Sequence, residues 1–157
     1  MAGISPADLR LYVIRPALLT ISLGGDAAEE QMLGTALQES GGGKRLVQLG
    51  GGPGLSPWQI EEATHDDLRR NYLAYRRTLF DAVNSLKAPG LEGAAQLPGN
   101  LLYACAMARL VYARHPDPLP AAGDLEAQAE LYKRVYNTAG GAATAAEYVA
   151  NYKAAHL

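Results

Sequence analysis

Three kinds of side chain in this sequence are able to do chemistry, and their spacing separates them. His65, His115 and His156 are far apart with no metal-ligand spacing, so neither zinc nor another metal is expected. The single cysteine, Cys105, sits in an apolar helical pattern with Leu101, Leu102 and Ala108. It reads as a small buried hydrophobe rather than a nucleophile, and one thiol makes no disulfide framework. The carboxylates remain. Glu29, Glu30, Glu126 and Glu130 occupy polar helix starts or faces and read as solvated. Glu39 is different. It ends an apolar helical stretch, where the negative end of the helix dipole disfavours its charge, and it precedes a glycine-rich segment able to fold over it. A carboxyl group in such surroundings keeps its proton to higher pH. It can then deliver that proton to a leaving oxygen, as glycosidic cleavage requires.

The elements that must position Glu39 are helical. Ser5 or Asp8 opens a first helix through Leu9, Leu11, Val13 and Ile14, which Pro16 ends or kinks. Asp26 caps a second helix that stops at Ser40, before Gly41-Gly42-Gly43. Residues 41–60 are glycine-rich and aperiodic, yet they hold Leu46, Val47, Leu49, Leu55, Trp58 and Ile60. That is too much apolar surface for a solvated linker, so an ordered loop or short β-hairpin is expected beside the Glu39 helix. Thr64 and Asp67 read as a capping pair for a long helix whose face is Leu68, Tyr72, Tyr75, Leu79, Val83 and Leu86. Residues 87–99 read as a loop. Asn100 and Asp124 each open a further helix, and Thr144 with Glu147 forms a capping box for the last. The fold class expected is mostly α, in a single domain over residues 1–157.

Charge narrows the function classes. A net charge of −2 implies no bulk attraction to nucleic acid or anionic lipid, and Arg69, Arg70, Arg76 and Arg77 read as a solvated helix face. The glycines at 50–52 and 54 are not followed by Gly-Lys-Ser/Thr, so they are no phosphate loop. Arg10, Arg15 and Pro16 interrupt the longest apolar runs, and no membrane insertion is expected. The N-terminus shows no charged segment followed by an apolar one, so no signal peptide is expected.

Three motifs occur in order: Gln38-Glu39-Ser40, then Gly54-Leu55-Ser56-Pro57-Trp58-Gln59-Ile60, then Tyr136-Asn137-Thr138 with Gly140-Gly141. This order resembles the catalytic domain of soluble lytic transglycosylases, in the lysozyme-like superfamily, over roughly residues 34–152. That family has a Glu-Ser pair ending a helix, then Gly-Leu-Met-Gln-Ile, then Tyr-Asn-Ala-Gly. The second motif is two residues longer here, with Trp58 in the methionine's place, and the third carries Thr138-Ala139-Gly140-Gly141. The stretches around residues 13–16, 63–67 and 136–138 look like small phage and prophage proteins of the superfamily.

The resemblance implies a muramidase, a glycosidase cutting the MurNAc-GlcNAc β-1,4 bond of peptidoglycan without a cofactor. Glu39 resembles the single acid/base, and Ser40 the residue orienting substrate or the glutamate. Gln59 resembles a residue lining the saccharide groove. Tyr136 resembles the tyrosine whose hydroxyl points at the catalytic carboxyl, and Asn137 its neighbour holding the turn. Trp58 either stacks on a sugar ring or packs internally. In the family's mechanism the acid protonates the glycosidic oxygen and then deprotonates the sugar's 6-hydroxyl, leaving a 1,6-anhydromuramoyl end. A two-carboxylate hydrolase needs a partner acid, for which Glu61, Glu62, Asp66 and Asp67 are the candidates. The rival class is a non-catalytic phage virion structural or ejected protein that keeps the lysozyme-like fold. The expected partners are peptidoglycan glycan strands and other virion or tail proteins. The expected place is the virion or the host cytoplasm before release, with action in the bacterial periplasm and cell wall.

Overall fold

The computed structural model describes residues 3–137 and 141–155. Thr138 and Gly140 of the third motif, like His156, lie outside the described residues. The chain is mostly helical, with no β-strand among the described residues.

Helix α1 runs through Pro6–Asp8, a wide π-type turn Leu9–Ile14, and Arg15–Thr20. Ser5 caps it by accepting from the Asp8 N–H at 3.0 Å. Of the two outcomes expected at Pro16, an end or a kink, the helix does not end; its regular geometry is interrupted just before the proline. In the wide turn the Arg15 N–H reaches back to the Arg10 carbonyl, so Pro16 falls in the opening turn of a new α-helical stretch, where a missing donor costs little.

Helix α2, Asp26–Ser40, is the central element, with α1 among the elements packed on it. Buried residues lie on all its faces, including Met32, Leu33, Gly34, Ala36 and Leu37. Asp26 is its first residue rather than its cap, which is Gly25 at φ 112°. Glu29 corrects the expectation of a solvated carboxylate, being only 5% exposed. Arg10 and Arg15 each place Nε 2.9 Å from it, and the Arg15 hydrogen bond holds its pKa below the ordinary carboxylate value. At the other end Gly41 adopts φ 66°. Its N–H bonds the Leu37 carbonyl and that of Gly42 the Ala36 carbonyl, both at 3.0 Å, which stops the helix where the glycines predict.

The segment after α2 is ordered through its own backbone. Val47 pairs with Leu55 and Leu55 with Ile60 as isolated antiparallel bridges. Trp58 is fully buried, and its Nε1 donates to the Met32 carbonyl at 2.9 Å. This anchor fastens the loop to α2.

The long helix expected over residues 64–86 is two helices, α3 Glu62–Asn71 and α4 Arg77–Ser85, joined through a 3₁₀ turn Leu73–Tyr75. Arg76 leaves helical geometry at φ −134°, ψ 79°, stacks its guanidinium 3.8 Å from the Tyr72 ring centroid and donates to the Tyr72 carbonyl. The predicted face fails at this corner: Tyr75 is exposed and Leu73, which is not part of that face, is buried in its stead. Asp67 is not a cap here; it pairs with Arg114. His65 docks α3 onto the next long helix by a 2.8 Å hydrogen bond between Nε2 and the Tyr103 hydroxyl.

That helix, α5 Leu101–Ala113, is capped by Asn100 and buries Cys105 completely. Helix α6, Leu125–Leu131, is capped by Asp124 and passes without a break into a second π-type turn, Tyr132–Asn137. Helix α7, Ala145–Ala154, starts at the Thr144–Glu147 capping box, as predicted. It lies along α2 by setting Tyr148 against Gly34.

Candidate active site around Glu39

Glu39 stands in the last turn of α2, two residues before the glycine reversal at Gly41. The reversal is fastened by Ser40, whose buried Oγ donates to the Ala36 carbonyl at 3.2 Å and accepts from the Gly43 N–H at 2.8 Å. Ser40 is therefore a clasp on the helix end. Its hydroxyl is engaged by backbone, so of the two roles the resemblance implies it is placed to steady the helix end that carries Glu39 and not to meet a substrate.

The Glu39 carboxyl is half-buried and accepts the Tyr132 hydroxyl at 2.5 Å. Burial raises its pKa above the ordinary value, and the Tyr132 hydrogen bond, which favours the ionised form, partly opposes the rise. The tyrosine expected at this place was Tyr136. The π-type turn decides otherwise. Tyr132 opens that turn and aims at Glu39, whereas Tyr136 gives its hydroxyl to the Trp58 carbonyl at 2.6 Å. The two rings stack with centroids 6.0 Å apart, and Tyr148 supports Tyr132 from 5.1 Å. Tyr132 lies outside the three motifs, so the resemblance does not mark it. The available signal was its four-residue spacing from Tyr136, which sets both rings on one face.

Glu39 opens into a groove of about 440 Å³, lined also by Arg45, Gln48 and Leu49 from the glycine-rich loop, by Gln59 and Glu61, and by Tyr136 and Asn137. A smaller hollow of about 120 Å³ adjoins it and shares Gln59, Glu61 and Tyr136. Gln59 is placed by a left-handed backbone at φ 49° and by its Nε2 bond to the Ser56 carbonyl at 2.7 Å. Asn137 accepts from Lys133 Nζ at 2.9 Å, and the same ammonium donates to the Gly141 carbonyl; the rest of the turn it was expected to hold lies outside the described residues. Trp58 is absent from the groove lining; it is packed internally and cannot stack on a sugar.

The groove thus brings Glu39, Gln59, Tyr136 and Asn137 together and leaves Ser40 and Trp58 beneath it. Arg45, Gln48 and Glu61 are its further polar members; of these only Glu61 was singled out from the sequence, as a rival carboxylate. Among the described residues no three His, Cys, Asp or Glu side chains converge on a metal position.

The geometry permits proton transfer. A carboxyl whose pKa burial raises, beside a groove open to solvent, has the properties a general acid for a leaving oxygen needs. The phenol orients it and stays a phenol, because burial, with the Glu39 charge added, pushes the Tyr132 pKa up. Replacing Tyr132 with Phe removes a bond that favours ionised Glu39. The expected result is a further rise in the Glu39 pKa, read as an upfield-to-downfield carboxyl titration in ¹³C NMR whose midpoint moves to higher pH than in the wild type. An unchanged or lower midpoint contradicts the assignment of that hydrogen bond.

No family model, curated protein or solved structure matches this chain.

Proposed function

We propose that this chain is a peptidoglycan-cleaving lytic transglycosylase with a lysozyme-like helical fold and Glu39 as its one general acid/base. The observation that carries the reading is the half-buried Glu39 carboxyl, its pKa raised by burial and its orientation set by Tyr132, at the edge of a polar groove. The order of the three motifs supports the same reading.

The chemistry follows from one carboxyl acting twice. Protonated Glu39 gives its proton to the glycosidic oxygen as the C1–O bond breaks, and the electron pair leaves with the departing sugar. The substrate's N-acetyl oxygen supplies electrons to C1 in the interval. Glu39, now a carboxylate, takes the proton of the 6-hydroxyl, whose oxygen attacks C1 and closes a 1,6-anhydro ring. Tyr132 holds the carboxyl in place through both steps, and its hydrogen bond favours the ionised form needed for the second. Gln59 and Asn137 offer amide groups to the sugar hydroxyls along the groove.

A second reading has one observation in its favour. Glu61 lines the same groove, so the site holds a second carboxylate that can activate water and make the enzyme a hydrolase. Mass spectrometry of glycan strands digested by the purified protein separates the two. The expected products carry anhydromuramoyl ends. Reducing ends replace the transglycosylase with the hydrolase, and an absence of any product removes the enzymatic reading.

A further inference from the structure

The groove contains a cation whose use the reaction does not require. Arg45 lines it together with Glu39 and Glu61, yet among the described residues it forms no ion pair with any carboxylate. Its recorded hydrogen bond runs from Nη2 to the backbone carbonyl of Glu39, at 3.3 Å. That contact tethers one corner of a guanidinium and leaves the rest of its five donors without a recorded partner. The guanidinium thus touches the main chain of Glu39 and forms no ion pair with its carboxyl.

This separation has a physical sense. A guanidinium against the Glu39 carboxyl would stabilise its ionised form and spoil the acid. Held by the main chain of the same residue, the cation remains in the groove within reach of whatever lies across Glu39. It is half-buried, so water screens it less than a surface arginine, and its planar fork fits a carboxylate through two parallel hydrogen bonds. A neutral sugar offers only hydroxyls and amides, which the amide side chains of Gln48, Gln59 and Asn137 match without a full positive charge.

We infer that Arg45 is a specificity-determining residue that binds a carboxylate carried by the glycan next to the bond being cut. The inference rests on the proposed glycan-cleaving function. On a muramoyl strand the carboxylate has two sources. It belongs to the stem peptide, or to the lactyl group once the peptide is removed.

The test compares kcat/KM of the wild type and of Arg45→Gln on three substrates: strands bearing stem peptides, strands stripped by an amidase to free the lactyl carboxylate, and chitooligosaccharides, which have none. In the wild type at least one muramoyl substrate is expected to exceed the chitooligosaccharide, and the one preferred identifies the source. For Arg45→Gln this preference ratio is expected to fall about 10- to 100-fold, mainly through KM, as for the loss of a charge-assisted bidentate contact. Arg45→Lys, which keeps the charge and loses the fork, is expected to fall between them. Wild-type cleavage with a ratio that Arg45→Gln leaves unchanged overturns this inference and spares the function. An equal loss on all three substrates also overturns it, since that marks a structural role. No cleavage of any substrate by the wild type overturns both.

Discussion

Glu39→Gln is expected to abolish glycan cleavage while making the folded protein more stable at neutral pH. The loss of activity follows from removing the only proton donor assigned to the leaving oxygen. General acid catalysis contributes about 10²- to 10⁴-fold, and the same residue is also needed as base in the second step, so the loss belongs at the upper end of that range. The gain in stability follows from the direction of the pKa shift. Burial holds the Glu39 pKa above its ordinary 4.5, so the folded state binds this proton more tightly than the unfolded chain does. The stabilisation from Glu39 is therefore fully present below pH 4.5 and is lost as pH rises through the elevated folded-state value. At pH 7 burial disfavours the ionised form that Glu39 takes in the unfolded chain, whereas glutamine carries no charge. The amide oxygen still accepts from Tyr132. The melting temperature of Glu39→Gln is thus expected to exceed that of the wild type at pH 7, with the gap closing toward pH 4. Thermal melts across that range check it, alongside turnover on glycan strands. Activity retained at the wild-type rate sinks the catalytic assignment. A variant less stable than wild type at pH 7 shows instead that the carboxylate is satisfied as an ion.

The same pKa governs the rate profile. Cleavage by the wild type is expected to fall as pH rises through the Glu39 value, because the first step needs the protonated acid.

How much of this was legible beforehand depended on which physical signal each residue leaves in a sequence. Helix ends were legible where a side chain or a glycine makes the cap: Gly41 after α2, Asn100, Asp124, and the Thr144–Glu147 box all fall where their chemistry requires. Glu39 was legible because an acid between an apolar helix and a glycine run is unusual. The break at Arg76 and the π-type turn before Pro16 were not, since both depend on backbone geometry that a 3.6-residue periodicity does not encode. The exchange of roles between Tyr132 and Tyr136 has the same origin. A π-type turn widens the spacing per turn, so a tyrosine assigned by motif alignment lands beside its expected place, and its neighbour one turn earlier reaches the carboxyl. Burial was the other blind spot. Ser40 and Trp58 have side chains suited to sugars, and only three-dimensional packing shows that their polar atoms are spent on the Ala36 and Met32 carbonyls.

Gly34→Ala is expected to destabilise the wild type and to stabilise a Tyr148→Ala background. Gly34 lies in the middle of α2, where glycine costs roughly 1 kcal/mol relative to alanine, so local propensity favours the substitution. Packing forbids it. A Cβ on Gly34 falls inside the van der Waals envelope of the Tyr148 hydroxyl and ring, with Cε1 only 2.9 Å away. A long exposed side chain would swing aside at little cost, but Tyr148 is a rigid ring with no exposed surface, set between α2 and Tyr132. Its hydroxyl is also engaged with Gln31 at 3.3–3.4 Å. Relief requires α7 to move away from α2, and overpacking of this kind costs about 1–3 kcal/mol or more, enough to overturn the propensity gain. The net loss is expected near 2 kcal/mol, a fall of roughly 4–8 °C in melting temperature for a chain of this size. Tyr148→Ala alone costs about 3–5 kcal/mol through the cavity it leaves. Once the ring is gone, the added methyl meets open space, and only the propensity term of roughly 1 kcal/mol survives, now stabilising. The sign of the Gly34→Ala effect therefore reverses between the two backgrounds, and chemical denaturation of the four proteins in the cycle measures it. A Gly34→Ala effect of the same sign in both places the cost somewhere other than the Gly34–Tyr148 contact. The site is coupled to this packing as well, because Tyr148 supports the ring of Tyr132 and Tyr132 holds the Glu39 carboxyl. Gly34→Ala is accordingly expected to shift the Glu39 titration, although it lies more than one helical turn from the acid.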